Sequence, residues 1–260
     1  MTQQPKTDKT LAISYFGLRR TIGFIGFLLP LVLSLGKMVV AGAGIEGSIS
    51  AYYYTSMGAV FVGSLCAIGV FLLWYTYKGH DHIAAIVAGI FAIGVALFPT
   101  TPAKDDTPAQ AASASALNVF APMPASAQNT VGTMHVVFAA LFFLTLAYMS
   151  IFLFTRTYAR KDQHRVREFL ASAFVTRTDE PDGLRSAKKK RNIIYRICGY
   201  TIVACIALMG LNALEKWDLL FWLETVAVMA FGFSWLVKGE AERIHFSFMR
   251  SSKQTQKMAS

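Results

Sequence analysis

Six long stretches of this chain carry almost no charge, and that pattern limits the fold more than any other feature. They run Thr21 to Ala41, Met57 to Tyr77, Ile83 to Phe98, Val131 to Phe154, Ile193 to Leu214 and Leu219 to Val237. A helix needs roughly 20 mostly apolar residues to cross about 30 Å of hydrocarbon, and a backbone in lipid has to satisfy its own hydrogen bonds. The runs therefore predict an all-α fold, a polytopic membrane bundle of six transmembrane helices. The third run is short for a span and draws on His82 and Pro99 at its ends. With 54% of the residues hydrophobic and only 15% charged, a soluble core has no room for that much apolar surface.

The basic residues orient the bundle. An even number of spans puts both termini on one side. Taking that side as cytoplasmic leaves only Lys37, Lys104 and Lys216, out of 25 Lys and Arg, on the outer side. Such a division is a strong positive-inside bias. The net charge of +10 is thus a topology signal, and it predicts the N and C termini inside. The chain divides into an N-terminal tail over 1–20, a membrane domain over 21–238 and a C-terminal tail over 239–260. A nucleic-acid partner is not expected, because the charges flank apolar spans and no basic-aromatic recognition motif accompanies them. A cleaved signal peptide is the alternative for the first run, since Arg19 and Arg20 precede it and small residues follow at Ala41 to Gly44. That would leave five spans. The run is longer than the usual signal core of about 7 to 15 residues, and its loss would spoil the charge division.

Two connecting segments differ in kind. The outer loop, 99–130, is broken by Thr101-Pro102, Thr107-Pro108 and Ala121-Pro122-Met123-Pro124, and reads as a flexible linker. The alternative is that its apolar centre, Leu117 to Phe120, dips back toward the membrane. In the basic cytoplasmic loop, 155–192, Val166, Phe169, Leu170, Ala173 and Phe174 recur at helical spacing, with Lys161, Arg165, Arg167 and Glu168 between them. This predicts an amphipathic helix between spans four and five, lying on the inner face and attracted to anionic lipid head groups. The run Lys188 to Arg191 that follows is a topology anchor, with specific phosphoinositide binding as the alternative. The tail from Gly239 continues the sixth helix along the interface before fraying near Ser251.

Ionisable groups inside spans are costly, so each is a functional candidate. His135 in span four and Glu224 in span six both lie about five residues, near 7 Å, below the outer end of their helices. Lys37 and Asn212 fall at comparable levels, and Tyr52, Tyr53 and Tyr54 come from the loop above, beside Glu46, Ser48 and Ser50. Two readings are open. In one, these residues form an outward-facing polar pocket for a cation, a lipid head group or a proton, with Lys37 holding an anion. In the other they are a packing network with the tyrosines as an interfacial belt. A second, structural cluster is expected at the inner side, where Asp81 is placed to bridge to Arg196 or Lys238.

No metal and no cofactor is expected. His80-Asp81-His82 lacks a third protein ligand, and the outer half offers His135 alone where zinc or haem sites need more. A Ser-His-acid arrangement of Ser48 or Ser50 with His135 and Glu224 has no nucleophile-elbow motif behind it. Cys66, Cys198 and Cys205 read as packing residues, and His164 and His245 as solvated. Gly23, Gly26, Gly63, Gly69, Gly89, Gly94, Gly199 and Gly232 permit close helix approach, while Pro30 predicts a kink in span one.

The segments Ser48-Ile-Ser-Ala-Tyr-Tyr-Tyr-Thr55, Gly89-Ile-Phe-Ala-Ile-Gly-Val-Ala-Leu-Phe-Pro99 and Phe233-Ser-Trp-Leu-Val-Lys-Gly239 resemble the signature stretches of a bacterial domain-of-unknown-function family of small six-span membrane proteins. That family is similar in layout to eukaryotic proteins of the DRAM and Frag type. The resemblance implies that Tyr52 to Tyr54, Asp81, Glu224, Ser234 and Lys238 belong to a common framework, and it implies no reaction or substrate. The His-x-x-x-His motif of ceramidase-like and adiponectin-receptor-like hydrolases is missing. The chain is thus expected in a bacterial inner membrane, as a non-enzymatic protein with a binding, sensory or permeation role. Its partners would be the bilayer, its anionic head groups and a small ligand or lipid in the outer pocket. A lipid-modifying enzyme and a purely structural partner protein are the alternatives.

Overall fold

The computed structural model describes residues 4–75, 80–102, 125–155, 182–215 and 217–258, and every regular element among them is helical. Six α-helices follow one another: α1 (Gln4–Ala41), α2 (Gly58–Leu73), α3 (His80–Leu97), α4 (Ala125–Tyr148), α5 (Asp182–Glu215) and α6 (Leu220–Met258). A 3-10 turn, Ser50–Tyr54, precedes α2, and a π turn, Met149–Leu153, extends α4. The amphipathic helix expected at 166–174 and the loop centre at 117–120 lie outside the described residues.

Four helices contain a segment long and apolar enough to cross a membrane: Gly17–Ala41, Asn129–Leu153, Lys189–Glu215 and Leu220–Glu240. The other two are shorter. With 16 residues in α2 and 18 in α3, they rise about 24 and 27 Å. The second apolar run, which extends to Tyr77 in sequence, leaves the helix at Leu73. There the Tyr75 N–H reaches back to Leu72 O at 3.1 Å, and the Tyr75 ring packs edge-on against Trp235, 5.2 Å between centroids.

Each helix packs on the next in chain order, and α1 closes the circle by lying along α6. Glycines set the closest contacts. A Cβ on Gly23 would come within 2.7 Å of Leu236 Cγ and 2.9 Å of Gly232 O, and one on Gly232 would collide with the Phe27 backbone. Gly69 and Gly89 do the same for α2 and α3: a Cβ on Gly89 would meet Gly69 O at 2.8 Å. Gly63, by contrast, borders open space. Pro30 sits inside the uninterrupted α1.

The distribution of apolar surface runs opposite to that of a water-soluble fold. Phe24, Leu28, Leu31 and Leu35 on α1, and Ile193, Ile197, Val203 and Leu211 on α5, are exposed. Apolar surface of this extent needs lipid rather than water. The chain is a multi-pass helical membrane protein.

Candidate functional site

The loop that leaves α1 folds over one end of the ring. Its 3-10 turn begins with backbone N–H groups that have no partner inside the turn, as every helix start does. Glu224, one turn into α6, answers this need. Its Oε2 accepts the Ile49 N–H at 2.5 Å, and the Ser50 N–H is directed at the same carboxylate. On the other side of the ring, α3 ends in unsatisfied carbonyls. His135 of α4 is buried there, with Nδ1 2.6 Å from Phe98 O. A carbonyl only accepts, so Nδ1 carries the proton, and the Val95 carbonyl also acts on the ring.

Both side chains line one cavity of about 50 Å³ in the middle of the ring. Its remaining wall is almost wholly apolar, including Leu29 of α1, Phe61 and Leu65 of α2, Phe142 of α4 and Phe231 of α6. Ser50 completes the polar end. Its hydroxyl lies 3.1 Å from that of Ser48, which in turn accepts the Ala51 N–H at 3.0 Å. The cavity end therefore gathers a carboxylate, an imidazole and the Ser50 hydroxyl.

The other residues grouped with this site in sequence have their own partners. Lys37 forms an ion pair with Glu46, and neither lines the cavity. Asn212 Oδ1 accepts the Leu219 N–H at 3.1 Å, ahead of the first residue of α6. All three tyrosines are buried rather than spread in a belt. The Tyr52 hydroxyl bridges the Glu46 N–H and Ser34 Oγ, each at 3.4 Å. The Tyr54 hydroxyl donates to Thr100 O at 2.5 Å. Burial pushes the Tyr53 phenol above its ordinary pKa. These contacts pin the turn, and with it the amides that Glu224 accepts.

No family model, curated protein or solved structure matches this chain. The site is thus read from its own geometry.

The opposite end of the ring holds a second cluster. Asp81, in the first turn of α3, is buried and lies within electrostatic reach of Lys238. Lys238 donates to Phe154 O at 3.3 Å, whereas Arg196 is exposed. His82 Nδ1 lies 3.1 Å from Tyr75 O. The side chain of His80 lies outside the described residues, and among those described no three His, Cys, Asp or Glu converge on a metal position.

Two features here were not picked out in sequence. Arg19 is wholly buried, with its guanidinium 4.8 Å from the Tyr75 ring centre. Its place was readable from phase: Arg19, Ile22, Gly26, Leu29 and Leu33 follow helical spacing along the buried face of α1, which overrides the usual reading of a basic flank as solvated. The other is a buried hydroxyl pair, Ser150 and Ser234, 3.1 Å apart, with Ser234 donating to Phe231 O. It ties the π turn to α6; Ser234 stands in the stretch Phe233 to Gly239 quoted above, whereas nothing in the sequence marks Ser150.

Proposed function

We propose that all six helices cross the cytoplasmic membrane of a bacterium, with both termini on the basic side, and that the ring interior is an outward-facing binding site for a small cation or an ammonium-sized group. The single observation that carries the ligand class is the shared cavity: Glu224 and His135 enter it from different helices, and its lining holds a carboxylate and no Lys or Arg. A donor-rich, positively charged guest complements such a set. A space of about 50 Å³ suits a small head group or one or two waters, and is well below the roughly 150 Å³ of a benzene-binding cavity. The apolar sleeve strengthens the attraction by lowering the local dielectric.

The six-span topology rests on the charge division, and α2 and α3 fit a span only if the bilayer thins beside them by a few Å. The resemblance to the bacterial six-span family supports the same layout and adds no activity. A binding or sensory role rests on the cavity that Glu224 and His135 share.

The test uses methylammonium as probe, on protein in phosphatidylcholine nanodiscs, read by calorimetry and tryptophan emission. Wild type is expected to bind, and Glu224→Gln to weaken binding at least about tenfold, as expected for loss of a desolvated charge partner. His135→Gln, which keeps a donor for Phe98 O, should weaken it less. Equal binding by wild type and Glu224→Gln refutes the proposal. Cysteine labelling at positions 104 and 189 tests the topology, which fails if both label from the same side.

A further inference from the structure

Helices α3 and α4 run side by side and touch closely at one level. A Cβ on Gly94 would lie 2.6 Å from Phe138, and the Phe98 and Phe138 rings pack at 5.1 Å. Two turns nearer the start of α3 a groove opens between them. Ile83 and Val87 of α3 form one wall, and Leu141, Leu144, Thr145 and Tyr148 of α4 form the other, around a volume of about 370 Å³. Its residues are distinct from those of the Glu224 and His135 cavity, so the two sites stand or fall separately.

The groove is apolar along its length and polar at one tip. Thr145 turns its hydroxyl onto Leu141 O at 2.7 Å, which leaves its methyl group for the wall. Tyr148, the last residue of α4, closes the row. Its ring packs on Phe152 of the π turn, 5.4 Å between centroids, and among the described residues its hydroxyl has no hydrogen-bond partner. Ile83, Leu141 and Leu144 are exposed along the rim, so the groove opens to hydrocarbon rather than to water.

Dimensions decide what fits. From Leu141 to Tyr148 the groove runs seven residues, about 10.5 Å, so its mean cross-section is about 35 Å², against about 80–110 Å² for a helix 10–12 Å across. A helix cannot enter it, and a second copy of the chain would reach it only with single side chains. The residues 156–181 that follow α4 carry Lys161, Arg165, Arg167 and Glu168 among their apolar positions, charges that hydrocarbon disfavours. An extended alkyl chain has the right width and no charge. A phospholipid also brings an ester carbonyl at the head of each chain, an acceptor suited to the phenol proton of Tyr148.

We propose that one acyl chain of a membrane phospholipid lies in the groove between α3 and α4, with the Tyr148 hydroxyl donating to its ester carbonyl. Groove and bulk lipid are equally apolar, so the preference comes from close contact on several sides and from that one hydrogen bond, not from escape from water.

The experiment places the full chain in nanodiscs of phosphatidylcholine in which a fraction of the acyl chains carries a diazirine, and maps the photo-adducts by peptide mass spectrometry. Ile193 and Ile197 of α5 serve as controls, because at 57% and 59% exposure they match Ile83 at 60%. Wild type is expected to carry at least about threefold more adduct on the groove residues than on these controls, as close contact on several sides requires. Val87→Phe or Thr145→Phe, which fill the groove from opposite walls, should bring it down to the control level. Tyr148→Phe keeps the ring and should lower it about twofold or more through loss of the hydrogen bond; this near-isosteric change keeps the test valid if a filling variant fails to fold. Equal labelling of groove and controls, or labelling that the three variants leave unchanged, overturns the assignment. A groove that takes no adduct also overturns it, in favour of a second copy if native mass spectra show a dimer and of residues 156–181 if they show a monomer.

Discussion

Removing the Glu224 carboxylate separates its structural work from any binding role. In Glu224→Ala the Ile49 N–H, now bonded at 2.5 Å, loses its acceptor, and so does the Ser50 N–H directed at the same group. A hydrogen bond to a charged acceptor contributes about 1.5–3 kcal/mol, and a buried donor left without a partner costs about 1–3 kcal/mol. Glu224 is partly buried and the cavity has room for water, so the lower half of that range applies, about 2 kcal/mol for the two amides together. Glu224→Gln keeps a carbonyl oxygen at the same reach and gives up only the charge, for a loss of about 1 kcal/mol or less. The measurement is thermal unfolding in a mild detergent, followed through Trp222 and Trp235 emission. The Ala variant should melt several degrees below the Gln variant, while the two lose methylammonium binding alike. Identical melting of the two variants would refute the reasoning, because the amide cap would then contribute nothing.

Other contacts make sharper structural predictions. Gly232→Ala and Gly23→Ala force apart two backbones in direct contact, so each should cost about 1–3 kcal/mol, with the double variant losing less than the sum. Gly63→Ala, where a Cβ meets nothing within 4 Å, should be neutral or gain up to about 1 kcal/mol from helix propensity; the same melting assay compares them. Ser234→Ala removes the partner of the buried Ser150 hydroxyl and should destabilise by about 1–2 kcal/mol, whereas Ser150→Ala/Ser234→Ala should recover part of that loss. Asn212→Ala takes away the acceptor for the Leu219 N–H and should cost about 1 kcal/mol, with faster hydrogen exchange at the start of α6.

Helical character and membrane residence were legible in the apolar runs, because a long uncharged segment has few other solutions. Length was less legible. Composition does not reveal that Tyr75 turns inward to Trp235 and ends α2 early, since the partner lies 160 residues away in sequence. Depth counting brought His135 and Glu224 to one level, and the cavity they share is consistent with it. Rotation about each helix decided the rest. Lys37 is at the same level, yet its nearest acid is Glu46 in the following loop, and Asn212 is drawn to a backbone N–H. Arg19 shows the converse error, in which charge type outweighed helical phase. The tyrosine run reads as an interfacial belt by composition, but a 3-10 turn sends three consecutive side chains in three directions, and all three find buried partners.

The contact between Gly23 and Gly232 joins the first helix to the last. During synthesis α1 enters the bilayer roughly two hundred residues before α6, a delay of about 10–40 s at 5–20 residues per second. Throughout that interval the glycine notch of α1 has no mate, and Leu29, which lines the cavity, faces lipid or the insertion machinery. Neither polar end of the ring is complete until α6 arrives with Glu224 and Lys238. The protein therefore matures in one late step, and a chain halted before α6 would present an open, unsatisfied seam that quality-control proteases are built to recognise.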